Sequence, residues 1–414
     1  MSKDCVVGLD VGSTKVIAMV GQLQEGMIQI IGFGKAPNSG MRKGAVVDIE
    51  DTVSAISAAL DEAERSSGMP ITSCFAAFGG SQIIAVDSKG VIAVSRGDGE
   101  IQETDTERVI DAVKSVALPQ NYEILHIIPK WFTVDGQSGV KDPIGMTGIR
   151  LEAQCHVIGS STPALKNFSK AITQAGLDID GIVFSPLASA KAYLSKKQKE
   201  IGVVIIDIGA ANTSIAVFEE GTVIHSKVIP VGANHITNDI AIGLKISLDA
   251  AEKVKLNEVD ARISEIKETE KVDLSKYDKN ETEKPNKRYV CEIVEARLNE
   301  LFAMIKDELK SIDRDGMLPA GAVFVGGGSK LNGLQQFAKQ NLGLPIQIGK
   351  SNLELPGIVD KIDDPEYATA VGLVLWGIDE SHNFVLNKNK PGMKLEGLGG
   401  ALGRVKEIFK NFIP

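Results

Sequence analysis

The sequence predicts an α/β protein of two duplicated lobes, the first carrying an inserted α+β unit, and three observations lead to that prediction. "CVVGLDVGSTKVIAMV" at residues 5–20 is echoed by "VVIIDIGAANTSIAVF" at residues 203–218, each an apolar run, an aspartate, a glycine, small residues and a second apolar run. A glycine triplet joins a strand pattern to a helix pattern in "VFVGGGSKLNG". Between the echoes, residues 84–161 change character and read as a unit of their own.

The chain opens with "CVVGLDVGSTKVIAMVGQLQEGMIQIIGFGKA", three short Val- and Ile-rich strands joined by tight turns at "GST" and "EGM". In "IEDTVSAISAALDEAERSSG", Ile49, Val53, Ile56, Ala59, Leu60 and Ala63 recur at helical spacing, and "SSG" closes the helix. "TSCFAAFGGSQI" is a buried strand. Residues 84–161 predict two strand runs, the charged helix "TDTERVIDAVKSVAL", and strands around "YEILHIIPKWFTVDG" and "RLEAQCHVIG", with a loop at "DPIGMTG". A helix, a strand and the short helix "PLASAKAYL" lead to a second meander from Gly202. Two helical segments fill residues 236–256, and "SEIKETEKVDLSKYDKNETEKPNK" reads as solvated connection because it is charged and aperiodic. A helix follows over 290–312, then strand, glycine turn and helix in "AVFVGGGSKLNGLQQFAKQNL". "DPEYATAVGLVLWGI" is a buried helix, read as core and not as site.

At 414 residues, 43% hydrophobic and 24% charged, the chain is long enough for two or more cores. Its net charge of -9 argues against nonspecific binding to nucleic acid, which rests on cations meeting phosphates. Cys5, Cys74, Cys155 and Cys291 lie far apart without a CxxC, so reduced thiols in a cytosolic compartment are expected. The five histidines are equally scattered, without metal-ligand spacing. Lys3 and Asp4 lead straight into a strand pattern with no signal-peptide h-region, and no run of about twenty apolar residues occurs. The expectation is a cytoplasmic protein, unless something anchors it.

In both echoed motifs a carboxylate ends a buried strand and glycine follows in the turn. Backbone N–H groups in such a turn cradle phosphate oxygens, and a nearby carboxylate holds a hydrated magnesium ion. The strand–turn–strand topology excludes a P-loop or a Rossmann fingerprint. One such turn alone is also what a plain β-hairpin looks like. The glycines of "VFVGGGSKLNG" allow close approach of a base or a phosphate. "AEKVK" places Glu252 and Lys255 on one helical face, suited to ribose and adenine, although alone such a pair is also an ordinary solvated salt bridge.

Taken in order, the two hairpins, the glycine motif and the late alanine-rich helix resemble the actin and heat-shock chaperone ATPase superfamily. Within it, "GMRKGAVVDIEDTVSAISAALDEAERSSG", "GANHITNDIAIGL" and "SLDAAEKVK" are similar to the bacterial cell-division family FtsA over nearly the whole chain. The resemblance implies an actin-like two-lobed ATPase fold in which an inserted subdomain, 1C, replaces actin's usual small one. It implies ATP and Mg2+ as cofactors, with Asp10 and Asp207 at the metal. Gly12, Ser13, Thr14 and Lys15 would contact phosphates from one lobe, and Gly209 and Thr213 from the other. Glu252 and Lys255 would meet ribose and adenine, and Gly326, Gly327 and Gly328 would line the adenosine pocket. The implied partner is the C-terminal peptide of the tubulin-like protein FtsZ, taken by subdomain 2B, together with self-association into filaments.

The resemblance divides the chain into subdomain 1A (1–83, 162–196, 348–380), 1C (84–161), 2A (197–226, 303–347) and 2B (227–302). A Gly-, Asn- and Lys-rich linker is expected over 381–401. The family's second hairpin usually reads DIGGGTTD, whereas this chain has "DIGAANTS"; where the family tends to carry Glu before the "PLAS" helix, Ser185 stands. A Cβ is costly where a turn needs positive φ, and loss of a carboxylate near an attacking water removes a base. Slow or absent hydrolysis with binding retained is one expectation. The other is that the alanines sit at ordinary φ values and the chain is a typical weak ATPase.

In the tail "LGRVKEIFKNFIP", Leu402, Val405, Ile408, Phe409, Phe412 and Ile413 oppose Arg404, Lys406, Glu407 and Lys410. A three-turn helix is marginal alone. Beyond a linker it reads as an amphipathic anchor for an anionic membrane surface, or else as an ordinary packed helix. Two alternatives to a division protein stay open: an actin-like adaptor of type IV pilus assembly, and a small-molecule kinase using the same cleft.

Overall fold

Both echoed segments fold as antiparallel meanders, and each meander is extended on its first strand by parallel strands. The computed structural model describes residues 5–24, 27–95, 97–115, 118–350 and 363–388, with side chains as far as residue 380. The tail residues 402–414 and most of the expected linker lie outside the described residues. Strands β1 (Cys5–Val11), β2 (Lys15–Gln24) and β3 (Met27–Pro37) precede the two-residue strands β4 (Met41–Arg42) and β5 (Ala45–Val46). Then come α1 (Ile49–Ser67) and β6 (Ser73–Phe78). Helix α1 starts where the Asp48 carboxylate accepts from Asp51 N–H, a cap worth about 1 kcal/mol. It ends at Gly68 in the left-handed region, φ 71°.

The inserted unit comprises β7 (Ile83–Ala93), α2 (Glu103–Lys114), β8 (Tyr122–Val134), β9 (Gln137–Val140) and β10 (Arg150–Ser161). One strand, β7, stands where two strand runs are expected. The sheet order is β7-β10-β8-β9, with α2 packed on it over a separate core that includes Val109, Ile110, Phe132 and Val157. The chain returns through α3 (Thr162–Gln174), β11 (Asp178–Phe184), α4 (Ser185–Tyr193) and α5 (Lys196–Ile201), completing a first-lobe sheet ordered β11-β6-β1-β2-β3.

The second lobe repeats the plan. Strands β12 (Val203–Ile208), β13 (Thr213–Glu219) and β14 (Thr222–Ile229) form the meander, followed by α6 (Ala233–Leu244), α7 (Leu248–Glu258) and α8 (Lys287–Ser311). Strand β15 (Ala322–Val325), α9 (Leu334–Leu342) and β16 (Ile346–Ile348) give the sheet order β14-β13-β12-β15-β16, the same arrangement as in the first lobe. The polar stretch between α7 and α8 is not simply solvated. Val272 and Leu274 are fully buried among the helices and pin it to the second-lobe core.

The last helix among the described residues, α10 (Ala368–Lys388), continues through residue 388, past position 381 where the linker is expected to begin. It packs against α4 at small residues: a β-carbon at Gly372 would lie 1.8 Å from the Ala188 carbonyl oxygen. Helix α4 in turn packs on β12 and β13, so α4 and α10 form the layer joining the lobes. The inserted unit also reaches the second lobe. Thr222 Oγ1 donates to Pro129 O at 3.0 Å, Lys130 Nζ donates to Ile224 O at 3.1 Å, and His156 Nε2 meets Ser226 Oγ at 2.8 Å.

Candidate nucleotide site

The two hairpins superpose residue for residue in their pairing. Asp10 faces Ile17 and Val11 faces Val16 across the first; Asp207 faces Ser214 and Ile208 faces Thr213 across the second. Both turns close through the glycine amide, Gly12 N to Lys15 O at 2.9 Å and Gly209 N to Asn212 O at 2.9 Å. The register therefore makes Ser13, Thr14 and Lys15 the counterparts of Ala210, Ala211 and Asn212.

Each turn is braced from outside. Asn38 Nδ2 donates to Gly12 O at 2.8 Å, and Ser13 Oγ accepts from Gly44 N at 3.3 Å. On the other side the carbonyls of Gly209 and Ala210 accept from Ala233 and Asn234, seating the second turn on the start of α6. Neither alanine lies at positive φ. The left-handed turn that would penalise a Cβ is thus not the conformation here, and the backbone-strain argument against Ala210 and Ala211 does not hold.

The turns face one cleft of about 760 Å³, within the range of small-molecule sites. Asp10, Gly12, Ser13, Thr14, Lys15, Asp207, Gly209, Glu252, Lys255, Gly326, Gly327 and Gly328 all line it. Thr213 does not. Strand alternation turns it to the far face, where it is fully buried and its hydroxyl donates to Val231 O at 2.8 Å. Its neighbours Asn212 and Ser214 face the cleft instead. Asn212 is buried, with an Oδ1 that has no hydrogen-bond partner.

The glycine triplet serves a purpose other than simple access. At φ 81° and ψ 164°, Gly326 occupies a region essentially closed to other residues. A β-carbon on Gly328 would lie 2.3 Å from Ile208 Cγ2. Those two glycines let the loop pack against the end of β12. At Gly327 the nearest atom to an added β-carbon is Lys15 Nζ, 3.6 Å away, so the first-lobe lysine reaches across to the second-lobe loop.

Electrostatics single out the two aspartates. Burial pushes Asp10 up to about 6, against the pull of Lys15. Burial, and then the charge of Asp10, push Asp207 up to about 7, while a hydrogen bond from Thr369 and the charge of Lys15 oppose the rise. Two half-buried carboxylates, one near enough for its charge to raise the other, form a donor set suited to a hard divalent cation. Among the described residues no group of three or more His, Cys, Asp or Glu is placed to hold a metal. A hydrated Mg2+ ion takes one or two carboxylates, as the Asp10 and Asp207 pair offers, and completes its shell with water and phosphate oxygens.

At the other end, Lys255 is buried and donates to Thr237 Oγ1 at 2.8 Å while pairing with Glu252 at 2.6 Å. The predicted pair is therefore tied to α6 and is not a solvated surface bridge. The late helix, read from the sequence as core alone, also contributes to the site. Thr369 Oγ1 donates to Asp207 Oδ2 at 3.4 Å, and Glu366, just before α10, pairs with Lys15. Sequence reading missed Glu366, Thr369, Thr237 and Asn212. Only Asn212 had a local signal, its register with Lys15.

The architecture defines the class: two like lobes around one cleft, with a hairpin carboxylate from each, is the actin-like ATPase fold. A chain of the PilM-PilN type IV pilus biogenesis complex matches with a TM-score of 0.67 at 18% identity, covering 90% of this chain and 98% of that one. MreB5 of Spiroplasma citri bound to ADP matches with a TM-score of 0.57 at 12% identity, covering 94% and 99%. The chain belongs to the cell division protein FtsA family. The family model "Cell division protein FtsA" matches residues 204–372, and "SHS2 domain inserted in FTSA" matches residues 80–159. The FtsA of Pseudomonas aeruginosa is 35% identical over 397 residues, covering 96% of this chain and 93% of that protein. Those of Bacillus subtilis and Escherichia coli K12 are 36% and 34% identical, covering 90% and 91% of this chain and 83% and 91% of theirs.

Proposed function

We propose that the chain is an ATP- and Mg2+-binding division protein that polymerises and tethers FtsZ filaments to the inner face of the cytoplasmic membrane. The observation that carries the nucleotide reading is the pair Asp10 and Asp207, half-buried on opposite sides of one cleft with Lys15 reaching the glycine loop between them. Bound Mg2+ would neutralise phosphate charge there, held by Asp10 and Asp207. Lys15 and the first turn then orient the phosphates, while Thr237, Glu252 and Lys255 hold the nucleoside end.

Slow turnover follows from the acids available. Glu252 is engaged by Lys255 and Thr237 and Glu366 by lysines, Asp249 lies on α7 beside Glu252 at the nucleoside end, and Asp10 and Asp207 would be engaged by the cation. The nucleotide is thus suited to assembly more than to turnover.

Family membership supports the cell-division role, with the FtsZ C-terminal peptide taken by residues 227–302. Residues 402–414 supply the membrane anchor through Leu402, Val405, Ile408, Phe409, Phe412 and Ile413. No helix of the described residues is long and apolar enough to cross a membrane. One short amphipathic helix binds weakly, but a filament presenting many binds by avidity, so polymerisation and attachment are coupled. Electron microscopy on an anionic lipid monolayer tests the parts together. ATP-dependent filaments that disappear on deleting residues 402–414, with ATP binding retained, are the expected result. Unchanged monolayer or liposome binding by the deletion would remove the anchor from the proposal.

A further inference from the structure

Glu366 is surrounded by three lysines drawn from both lobes. Its Oε1 accepts from Lys15 of β2 and, at 2.6 Å, from Lys35 of β3, while Oε2 pairs with Lys330 of the glycine loop at 3.2 Å. Lys330 pairs also with Asp364 at 2.6 Å. The segment carrying these acids is fixed by its own bonds: Glu366 N donates to Asp364 Oδ1 at 2.9 Å, and Gly326 N donates to Pro365 O at 2.8 Å. The Glu366 side chain is only 12% exposed. Burial works against its charge, but hydrogen bonds from Lys15 and Lys35 hold its carboxyl down to about 2, so it is ionised throughout the neutral range.

An ionised carboxylate in this position presents to Lys15 what a phosphate oxygen would present. We infer that Glu366 holds the place of a nucleotide phosphate: it neutralises Lys15 and joins the first-lobe lysines to Lys330, and an incoming polyphosphate must take Lys15 from it. The inference rests on the nucleotide reading of this cleft. It makes Glu366 a positioning residue that sets phosphate affinity by competition. Lys15 is pre-aimed at the glycine loop but is released only to a ligand carrying more negative charge than one carboxylate. Closure of the lobes is shared between the carboxylate and the ligand, because the same anion links Lys15 and Lys35 on one side with Lys330 on the other.

Titration calorimetry with ATP, ADP, adenosine and inorganic tripolyphosphate tests this on the full chain. Glu366→Gln keeps the shape and removes the competing charge. It is expected to tighten ATP and tripolyphosphate on the order of ten-fold at low salt, in keeping with loss of one charge-assisted contact to Lys15. The gain shrinks as salt rises, adenosine binding is unchanged, and Glu366→Asp lies near the parent. In a Lys15→Ala background Glu366→Gln adds nothing. Weaker ATP binding by Glu366→Gln with adenosine unchanged would show that the carboxylate supports Lys15 instead of competing for it, and overturns the inference. Equal loss for ATP and adenosine, or a gain that persists without Lys15, overturns it as well. If the parent chain bound neither ATP nor adenosine, the nucleotide reading would fail on its own. Tripolyphosphate would still decide the exchange at Lys15.

Discussion

Gly326 lies so close to Asp207 that a β-carbon on it would stand 2.3 Å from the carboxylate Oδ1, and 2.6 Å from the Ile208 carbonyl oxygen. The glycine loop and the second-lobe aspartate are one packed unit, which explains why the triplet follows β15, the parallel neighbour of β12. Gly326→Ala combines backbone strain of about 1–3 kcal/mol with displacement of Asp207. Denaturant unfolding should show that loss, and Mg2+-dependent ATP binding should fall with it. Gly327→Ala, at ordinary φ with only Lys15 Nζ near, should leave stability close to the parent.

Asp10 and Asp207 give the ligand-free protein a pH dependence of definite sign. Both acids hold their protons more tightly folded than unfolded, since burial lifts them from 3.8 to about 6 and about 7. Their contribution to stability is full below the unfolded value and is lost as pH rises through the folded values. Thermal stability without ligand should therefore fall between about pH 4 and about pH 7. Mg2+ with ATP should restore more at the upper end, where both carboxylates are charged. Asp207→Asn should flatten the slope, melt higher than the parent at about pH 8, and lose the Mg2+-dependent part of the ATP shift. A Mg2+ effect of undiminished size in that variant would remove Asp207 from the cation site.

Returning Ala210 and Ala211 to glycine should not repair anything. Both sit at ordinary φ, so glycine would only add freedom to the unfolded chain. The double variant should lose about 0.5–1 kcal/mol at each position in chemical denaturation. A gain in stability would mean that the β-carbons are strained after all.

What the sequence could reveal was whatever repeats locally. The meanders, α1 and the two hairpin aspartates were legible because strand and helix periods and turn residues lie within about twenty positions of each other. Thr213 was misplaced by one position: motif matching ignores the two-residue period that sends Thr213 to Val231 and Asn212 and Ser214 to the cleft. The triplet was recognised, but its reason, packing against Asp207 and Ile208, needed the neighbouring strand. Val272 and Leu274 are lone apolar residues in a charged run and carry no periodic signal. Glu366 and Lys15 are separated by 351 positions, and no local pattern announces a contact made only when both lobes have folded.

Ser185 and Ser214 converge at Gly79, although they start α4 and enter β13. A β-carbon on Gly79 would lie 2.5 Å from Ser185 Oγ and 3.9 Å from Ser214 Oγ. The two positions where the family resemblance leads one to expect acids thus meet on one stretch of cleft wall, and both are neutral here. The proposed slow hydrolysis would then have a local cause that substitution can reverse. Ser214→Asp adds a carboxylate at little extra volume, and Ser185→Glu places one on the adjoining side with less room beneath Gly79. A positioned base contributes about 10²-fold or more to such a step. Single-turnover assays should find the parent near background, with Ser214→Asp, Ser185→Glu or their combination raising the rate by roughly that factor while ATP affinity stays within a few-fold. Robust Mg2+-dependent hydrolysis by the parent would show that water is activated elsewhere in the cleft. Failure of every acidic variant, with ATP still bound, would mean that geometry and not a missing base limits turnover.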